Sequence, residues 1–259
     1  MTERIARHWN LVVVGARLAG ALTAYALAPY ARSVLLLDRG GASAYWPQQL
    51  SWDRPDNLVW QELGLTETVL ACGAPKLRGH TRRTMDVTVD YHYPRDDEHC
   101  YRMSVPREVL DPALAAHAAS RANVTLLRQA KVTDVLRDGG RVSGVRFRRQ
   151  GTEHEVRCDL VVLADGRTSR NADRVGAVPY LTIASPWTGL LSYYRDLPLP
   201  DDRIRYSRQA GSMVIVTPCG PALWCVAAGL HQALIGRRGE HPARTYVRAG
   251  CSPCRPMSA

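Results

Sequence analysis

Leu11-Val-Val-Val14-Gly15-Ala-Arg17-Leu18-Ala19-Gly20-Ala-Leu-Thr-Ala-Tyr-Ala-Leu-Ala28 is the stretch on which the fold turns. A short β-branched run ends in a glycine, and residues rich in alanine and leucine follow until Pro29 stops them. This order predicts strand, turn and helix. A second apolar run, Ser33-Val-Leu-Leu-Leu37, then closes at Asp38-Arg39-Gly40. Two strands joined by a helix over about thirty residues run parallel with a right-handed crossover, because the helix has to pack back on the sheet.

Gly15-x-Arg17-x-x-Gly20 stands where a dinucleotide fingerprint would stand. There the first glycine makes the tight turn, the second lets backbone approach a pyrophosphate, and the third permits close helix packing. Arg17 replaces the second glycine. Its guanidinium can itself bond phosphate in a bidentate way, and the amides of Leu18, Ala19 and Gly20 at the helix N-terminus face an anion. Asp38, with Arg39 beside it, lies about 20 residues beyond the last glycine, where a carboxylate accepts hydrogen bonds from a ribose diol. The bland alternative is a plain α/β crossover with a glycine turn and a solvent-facing Asp-Arg pair.

Outward from this unit, Pro55 to Leu65 predicts a short helix. Thr84 to Tyr91 alternates, so that Met85, Val87, Val89 and Tyr91 would share one face of an exposed strand. Met103-Ser-Val predicts a strand, and a helix runs from Arg107 to about Arg121 with Pro112 in its opening turn. Val124 to Leu127 is another strand. Val132 to Val162 predicts a β-meander that ends in Leu160-Val-Val-Leu163, a run suited to a strand buried on both faces. Asp165-Gly166 ends that strand, and a short helix is expected between Thr168 and Val175. Four strands of a separate antiparallel sheet follow: Gly189 to Arg195, Arg203 to Arg208, Met213 to Val216 and Leu223 to Ala228. From Arg237 the composition turns to Arg, Gly, Pro, Ser and Cys, which predicts an irregular tail.

The chain has 259 residues, 46% hydrophobic and 22% charged, a globular balance that excludes a disordered tail or a disulfide miniprotein. No apolar run approaches the ~18 residues of a membrane span, and no secretory signal opens the chain, so a cytoplasmic protein is expected. The formal charge of +10 invites a polyanion partner. Of the 34 Lys and Arg, however, only Lys76 and Lys131 are lysines, and the arginines are scattered rather than gathered into a tract. No specific nucleic-acid function is therefore expected. The 7 cysteines are irregularly spaced, which fits a reducing compartment better than a disulfide framework. Cys251-Ser-Pro-Cys254 could join Cys219 and Cys225 at a zinc ion or form a redox pair, but unpaired thiols are the expectation and no metal site is assigned. His80, His92, His154, His231 and His241 read as surface or hydrogen-bonded structural residues. No catalytic acid or base stands out.

Two further segments, Arg102-Met-Ser-Val-Pro-Arg107-Glu-Val-Leu-Asp111-Pro-Ala-Leu114 and Asp159-Leu-Val-Val-Leu-Ala-Asp165-Gly166-Arg-Thr-Ser-Arg170, join the opening motif in order. Together they resemble the flavoprotein monooxygenases typified by p-hydroxybenzoate hydroxylase, with geranylgeranyl reductases and flavin-dependent halogenases among their relatives. The resemblance spans residues 11 to about 236. It implies an α/β fold with a Rossmann-like FAD-binding domain of glutathione-reductase type, built on a parallel sheet and a β-meander, plus an antiparallel-sheet substrate domain.

The resemblance also implies site residues. Gly15, Arg17 and Gly20 would surround the FAD pyrophosphate and Asp38 would hold the adenosine ribose. Arg107 would reach the flavin side, Val132 would offer backbone to the adenine, and Asp165 and Gly166 match a motif associated with FAD and the nicotinamide partner. Trp187, Tyr193, Tyr194 and Trp224 are candidates for the substrate side, or core residues at strand spacing.

The expected domains are residues 1–70 and 101–178 for FAD, residues 71–100 and 179–236 for the substrate sheet, and residues 237–259 for the tail. The implied function is an FAD-dependent oxidoreductase, monooxygenase-like, with NAD(P)H as electron donor and a small aromatic or polyprenyl-like substrate. The family's third FAD motif begins with Gly-Asp, a dipeptide absent from this sequence, so a C-terminally truncated chain is expected. The alternatives are a catalytically inactive dinucleotide-binding remnant and a basic polyanion-binding protein.

Overall fold

The apolar run at the head of the chain is the middle of a sheet. In the computed structural model, which describes residues 5–40 and 49–234, the chain begins with β1 (His8–Val14), α1 (Leu18–Leu27), β2 (Val34–Leu37) and β3 (Gln49–Trp52). It continues through α2 (Arg54–Glu62), α3 (Thr66–Leu70), β4 (Gly79–Thr84), β5 (Val87–His92) and β6 (Met103–Pro106). Next come α4 (Arg107–Ala119), β7 (Val124–Leu127), β8 (Ala130–Asp138), β9 (Arg141–Arg149), β10 (Thr152–Leu163) and α5 (Asn171–Arg174). The last strands are β11 (Trp187–Arg195), β12 (Ile204–Gln209), β13 (Ser212–Gly220) and β14 (Leu223–His231). The expected tail from 237 and the Cys251/Cys254 pair lie outside the described residues.

Two compact units divide the chain: Met1–Trp46 with Glu108–Leu181, and Pro47–Arg107 with Thr182–Ala259. The first unit is built on one six-stranded sheet in the order β7-β2-β1-β10-β9-β8. β1, β2, β7 and the end of β10 are mutually parallel, while β8, β9 and the start of β10 form the antiparallel meander. β10 is therefore one long strand that belongs to both parts. Val12, Val13, Leu35 and Leu36 are fully buried, and burying each such side chain is worth about 1.5–3 kcal/mol. Phe147, the single phenylalanine of the chain, fills the meander core with Val132, Val145 and Val156. On α4, Leu110, Leu114 and Ala118 form the buried face at helical spacing, and His117 packs edge-on to Tyr25 of α1.

The second unit holds a six-stranded sheet in the order β11-β14-β13-β12-β4-β5 and the small antiparallel pair β3-β6. β12 runs parallel to β4, and the remaining pairs in the larger sheet are antiparallel. Residues 49–70 and 101–107 fall in this unit. The reason is local: β3 pairs with β6, and the buried Asn57 of α2 donates to the carbonyls of His99 and Tyr101.

Other details depart from the sequence expectation. Met85 is not in a strand: it takes φ +54 and turns β4 into β5, leaving Val87, Val89 and Tyr91 at alternating positions of an exposed edge strand. The turn lacks the Asn-Gly or Asp-Gly signal that marks such hairpins. Leu160 to Leu163 is not buried on both faces. β10 is central by hydrogen bonding, between β1 and β9, yet Leu160 is 54% exposed and lines an open concavity with Val142, Val161 and Val175. β3 and α3 had no counterpart among the expected elements.

Candidate functional site

Three parallel strands end side by side. Val14 is in register with Leu37 of β2 on one side and with Leu163 of β10 on the other. The chain leaves β1 toward β2, while β10 enters on the opposite flank, so the strand order reverses at β1. A crevice outside the carboxyl ends of strands at such a reversal is where open α/β sheets bind ligands. Gly15 and Asp38 directly follow β1 and β2, and Asp165 follows β10 after one intervening residue, Ala164.

Gly15 has φ +100, a region that L side chains rarely adopt, and a Cβ there would lie 2.5 Å from the Ala164 carbonyl oxygen. Its amide donates to the Leu37 carbonyl at 2.7 Å, and the Ala164 amide donates to Val14 at 2.8 Å. At Gly20 a Cβ would sit 1.7 Å from the Gly15 carbonyl oxygen, so α1 can press against the turn only with glycine at this position. Arg17, the departure from the fingerprint, is the residue preceding α1, with φ −81 and ψ −174. That is extended backbone open to any residue, so arginine costs no strain here. Leu18 and Ala19 open the helix, and the Ala21 amide already bonds the Arg17 carbonyl.

Asp38 is anchored by backbone. Its Oδ2 accepts from the Ala16 amide at 3.2 Å and its Oδ1 from the Gly40 amide at 2.8 Å. An ionised carboxylate offers about four acceptor positions, so capacity for a diol remains. The main chain of Asp38 is clamped as well, its amide donating to Leu127 and its carbonyl accepting from Ala130. Arg39 is exposed beside it. The same clamp brings in Val132, two residues past Ala130. Its side chain is core, and the ladder to β9 shifts register immediately after it. Asp165 accepts from Asn171 Nδ2 at 2.9 Å, and Gly166 takes φ +89 with open space around it.

In the first unit, then, Gly15, Arg17, Leu18, Ala19, Gly20, Asp38, Arg39, Val132, Asp165 and Gly166 gather around the ends of β1, β2 and β10 and the start of β8. Arg107, the first residue of α4, ends a segment of the second unit. Sequence reading missed Ala16, Gln129 and Ala130, which support Asp38 and Gly40 through backbone alone; Gln129, at φ +56, donates from its amide to the Gly40 carbonyl. Backbone roles leave no side-chain signal to find.

The second unit carries a polar cluster. His80 Nδ1 lies 2.8 Å from the Tyr93 hydroxyl, and its ring stacks on Tyr91 at 4.4 Å. Arg102 donates to the Tyr206 hydroxyl at 2.8 Å and to Asp53 at 2.9 Å. Burial, then the nearby Arg102 and Arg82, holds the His80 pKa below the usual histidine value, while burial pushes the Tyr93 phenol up. Of the four aromatic candidates, Trp224 is core and Trp187 is 40% exposed. Tyr193 donates to Gln49 of β3 at 3.1 Å, and Tyr194 pairs with Trp224 across β11 and β14. Cys158 and Cys225 are buried thiols, raised to about 11 and about 12 by burial. Among the described residues, no group of three or more His, Cys, Asp or Glu could hold a metal, and no helix is long and apolar enough to cross a membrane.

A glycine turn into a helix, a carboxylate after the second strand and a strand-order reversal between them define a dinucleotide-binding α/β protein. The glycine contacts and the spare acceptor positions of Asp38 fit the phosphate and ribose of such a ligand. The chain belongs to the FAD binding domain family, whose model matches residues 9–217. It is 30% identical over 186 residues to the FixC protein of Azotobacter vinelandii, covering 66% of this chain and 40% of FixC. It is 29% identical over 185 residues to digeranylgeranylglycerophospholipid reductase 2 of Methanopyrus kandleri, covering 67% of this chain and 41% of the reductase. The fold is also that of p-nitrophenol 4-monooxygenase PnpA from Pseudomonas putida DLL-E4, with a TM-score of 0.78 at 16% identity over 94% of this chain and 62% of PnpA. The chain thus spans less than half the length of FixC and of the reductase.

Proposed function

We propose that this chain forms the cofactor-binding part and the substrate sheet of an FAD-dependent oxidoreductase of monooxygenase type. NAD(P)H is its electron donor and a small organic molecule, aromatic or polyprenyl-like, its substrate. The observation that carries this reading is the convergence of Gly15, Asp38 and Asp165-Gly166 at adjacent strand ends, with glycine enforced at 15 and 20 by backbone oxygens at 2.5 and 1.7 Å.

In this reading the amides of Leu18, Ala19 and Gly20 and the Arg17 guanidinium receive the pyrophosphate, because an anion gains at a helix N-terminus and from bidentate pairing. Asp38 holds the adenosine ribose and Arg39 flanks it. Val132 lends backbone to the adenine, Arg107 serves the flavin side, and Asp165 and Gly166 complete the cradle. Bound FAD supplies the redox chemistry between donor and substrate, and the protein binds, orients and excludes water. Trp187, Tyr193 and Tyr194 are the remaining candidates for substrate contact. The names of the relatives, a nitrophenol monooxygenase and a polyprenyl-lipid reductase, support the choice of substrate class. The place of work in this reading is the cytoplasm.

FAD uptake by the purified chain, followed by quenching of flavin fluorescence, tests the assignment. Gly15→Trp and Asp38→Ala are each expected to weaken uptake. Affinity unchanged in both variants would put the pocket elsewhere.

A further inference from the structure

A second concavity, within the second unit and remote in sequence from the glycine turn, has no role in the reading above. It encloses about 250 Å³ between the segment before β4, the end of β5 and the turn into β12. Four cations line it: Lys76, Arg78, Arg95 and Arg203. Asp202 is the single carboxylate in the lining, and its charge is already committed to Arg203 at 2.7 Å and Arg205 at 3.7 Å. Arg203 is further paired with Asp90 at 3.2 Å. Lys76, Arg78 and Arg95, by contrast, have no carboxylate partner among the described residues.

Lys76 and Arg78 are held in place without being neutralised. Arg78 donates through Nη1 to the carbonyls of Asp97 and Cys100, at 3.3 and 3.1 Å, and the Lys76 ammonium lies over the Tyr101 ring at 4.7 Å. Neutral acceptors and an aromatic face hold positive groups in place and leave the charge intact. Three uncompensated cations around one cavity repel one another, and a bound anion would turn that repulsion into attraction. Pockets for drug-sized ligands run to about 300–1,000 Å³, so this volume suits a small anion or the charged end of a larger molecule. A guanidinium beside an ammonium matches the fork and point-charge recognition of phosphoryl oxygens.

We propose that this cavity is a phosphoryl-anion site, separate from the dinucleotide crevice. Its test is calorimetric titration of the full chain with inorganic phosphate, against chloride at matched ionic strength. The expected result is single-site binding of phosphate, weakened about tenfold or more in the double variant Lys76→Gln/Arg95→Gln, both exposed positions, as the loss of two charge-assisted contacts requires. The charge-matched control Arg32→Gln/Arg195→Gln should bind as the unaltered chain does. Equal heats from chloride, or equal losses in both double variants, would overturn the proposal. Displacement of phosphate by NADPH and not by NADH would identify a nucleotide phosphomonoester as the source. Displacement by neither would identify free phosphate. FAD uptake is expected to be unchanged in Lys76→Gln/Arg95→Gln, so the two sites fail or stand separately.

Discussion

A single atom decides what position 20 tolerates. Gly20→Ala places a Cβ 1.7 Å from the Gly15 carbonyl, and the obstacle is backbone, which cannot swing aside. A loss of about 1–3 kcal/mol is expected in chemical denaturation, with FAD affinity falling as the turn shifts. Asp38→Asn keeps an acceptor and removes the charge. Losing one charge-assisted bond to a ligand costs about 1.5–3 kcal/mol, so FAD should bind about tenfold more weakly or worse in equilibrium titration. At His80 the sign of the pH dependence follows from burial. The folded state holds its pKa below the ordinary histidine value of 6.5, so the unfolded chain binds the proton more readily. The stability contributed here is complete above 6.5 and is lost as pH falls below it. His80→Gln should flatten the urea midpoint against pH over that range. A wild-type midpoint that rises on acidification would contradict the assignment.

Among the elements, the meander rests on Phe147, fully buried and stacked on His154 at 5.2 Å. Phe147→Ala is expected to cost about 3–5 kcal/mol in urea unfolding, as large cavities do. β1, α1, β2 and the meander were legible because their patterns are local: a β-branched run, an alanine-rich stretch stopped by Pro29, and Asp138-Gly139-Gly140 at a turn. The β4–β5 hairpin was not, because its turn residue is a methionine at positive φ and the alternation runs on across it. Leu160 misled for a different reason. Apolar composition reports a central place in the hydrogen-bonded ladder but not whether both faces of the strand are covered. β3 and α3 are held by tertiary partners, β6 for the one and α2 for the other, and their short sequences carry too little periodicity to be read alone. Within the candidate site, Gly15, Gly20 and Asp38 were legible from spacing, whereas the amides of Ala16 and Ala130 were not.

For the molecule as a whole, the chain forms one unit whose six-stranded sheet carries the candidate crevice at its parallel strand ends and one unit with a broad, mostly antiparallel sheet. Among the described residues, part of the positive charge is carried by arginines engaged with nearby acids, as at Arg54, Arg146 and Arg203. Any retention on nucleic acid should therefore fade with added salt, as non-specific attraction does. The central claim is that the crevice at the ends of β1, β2 and β10 holds FAD. Its most direct test is the visible absorption of the purified full chain after incubation with excess FAD and gel filtration, beside Asp38→Ala treated identically. The account predicts flavin absorption co-eluting with the unaltered protein and diminished in the variant. A colourless protein peak, or equal flavin on both chains, would contradict it.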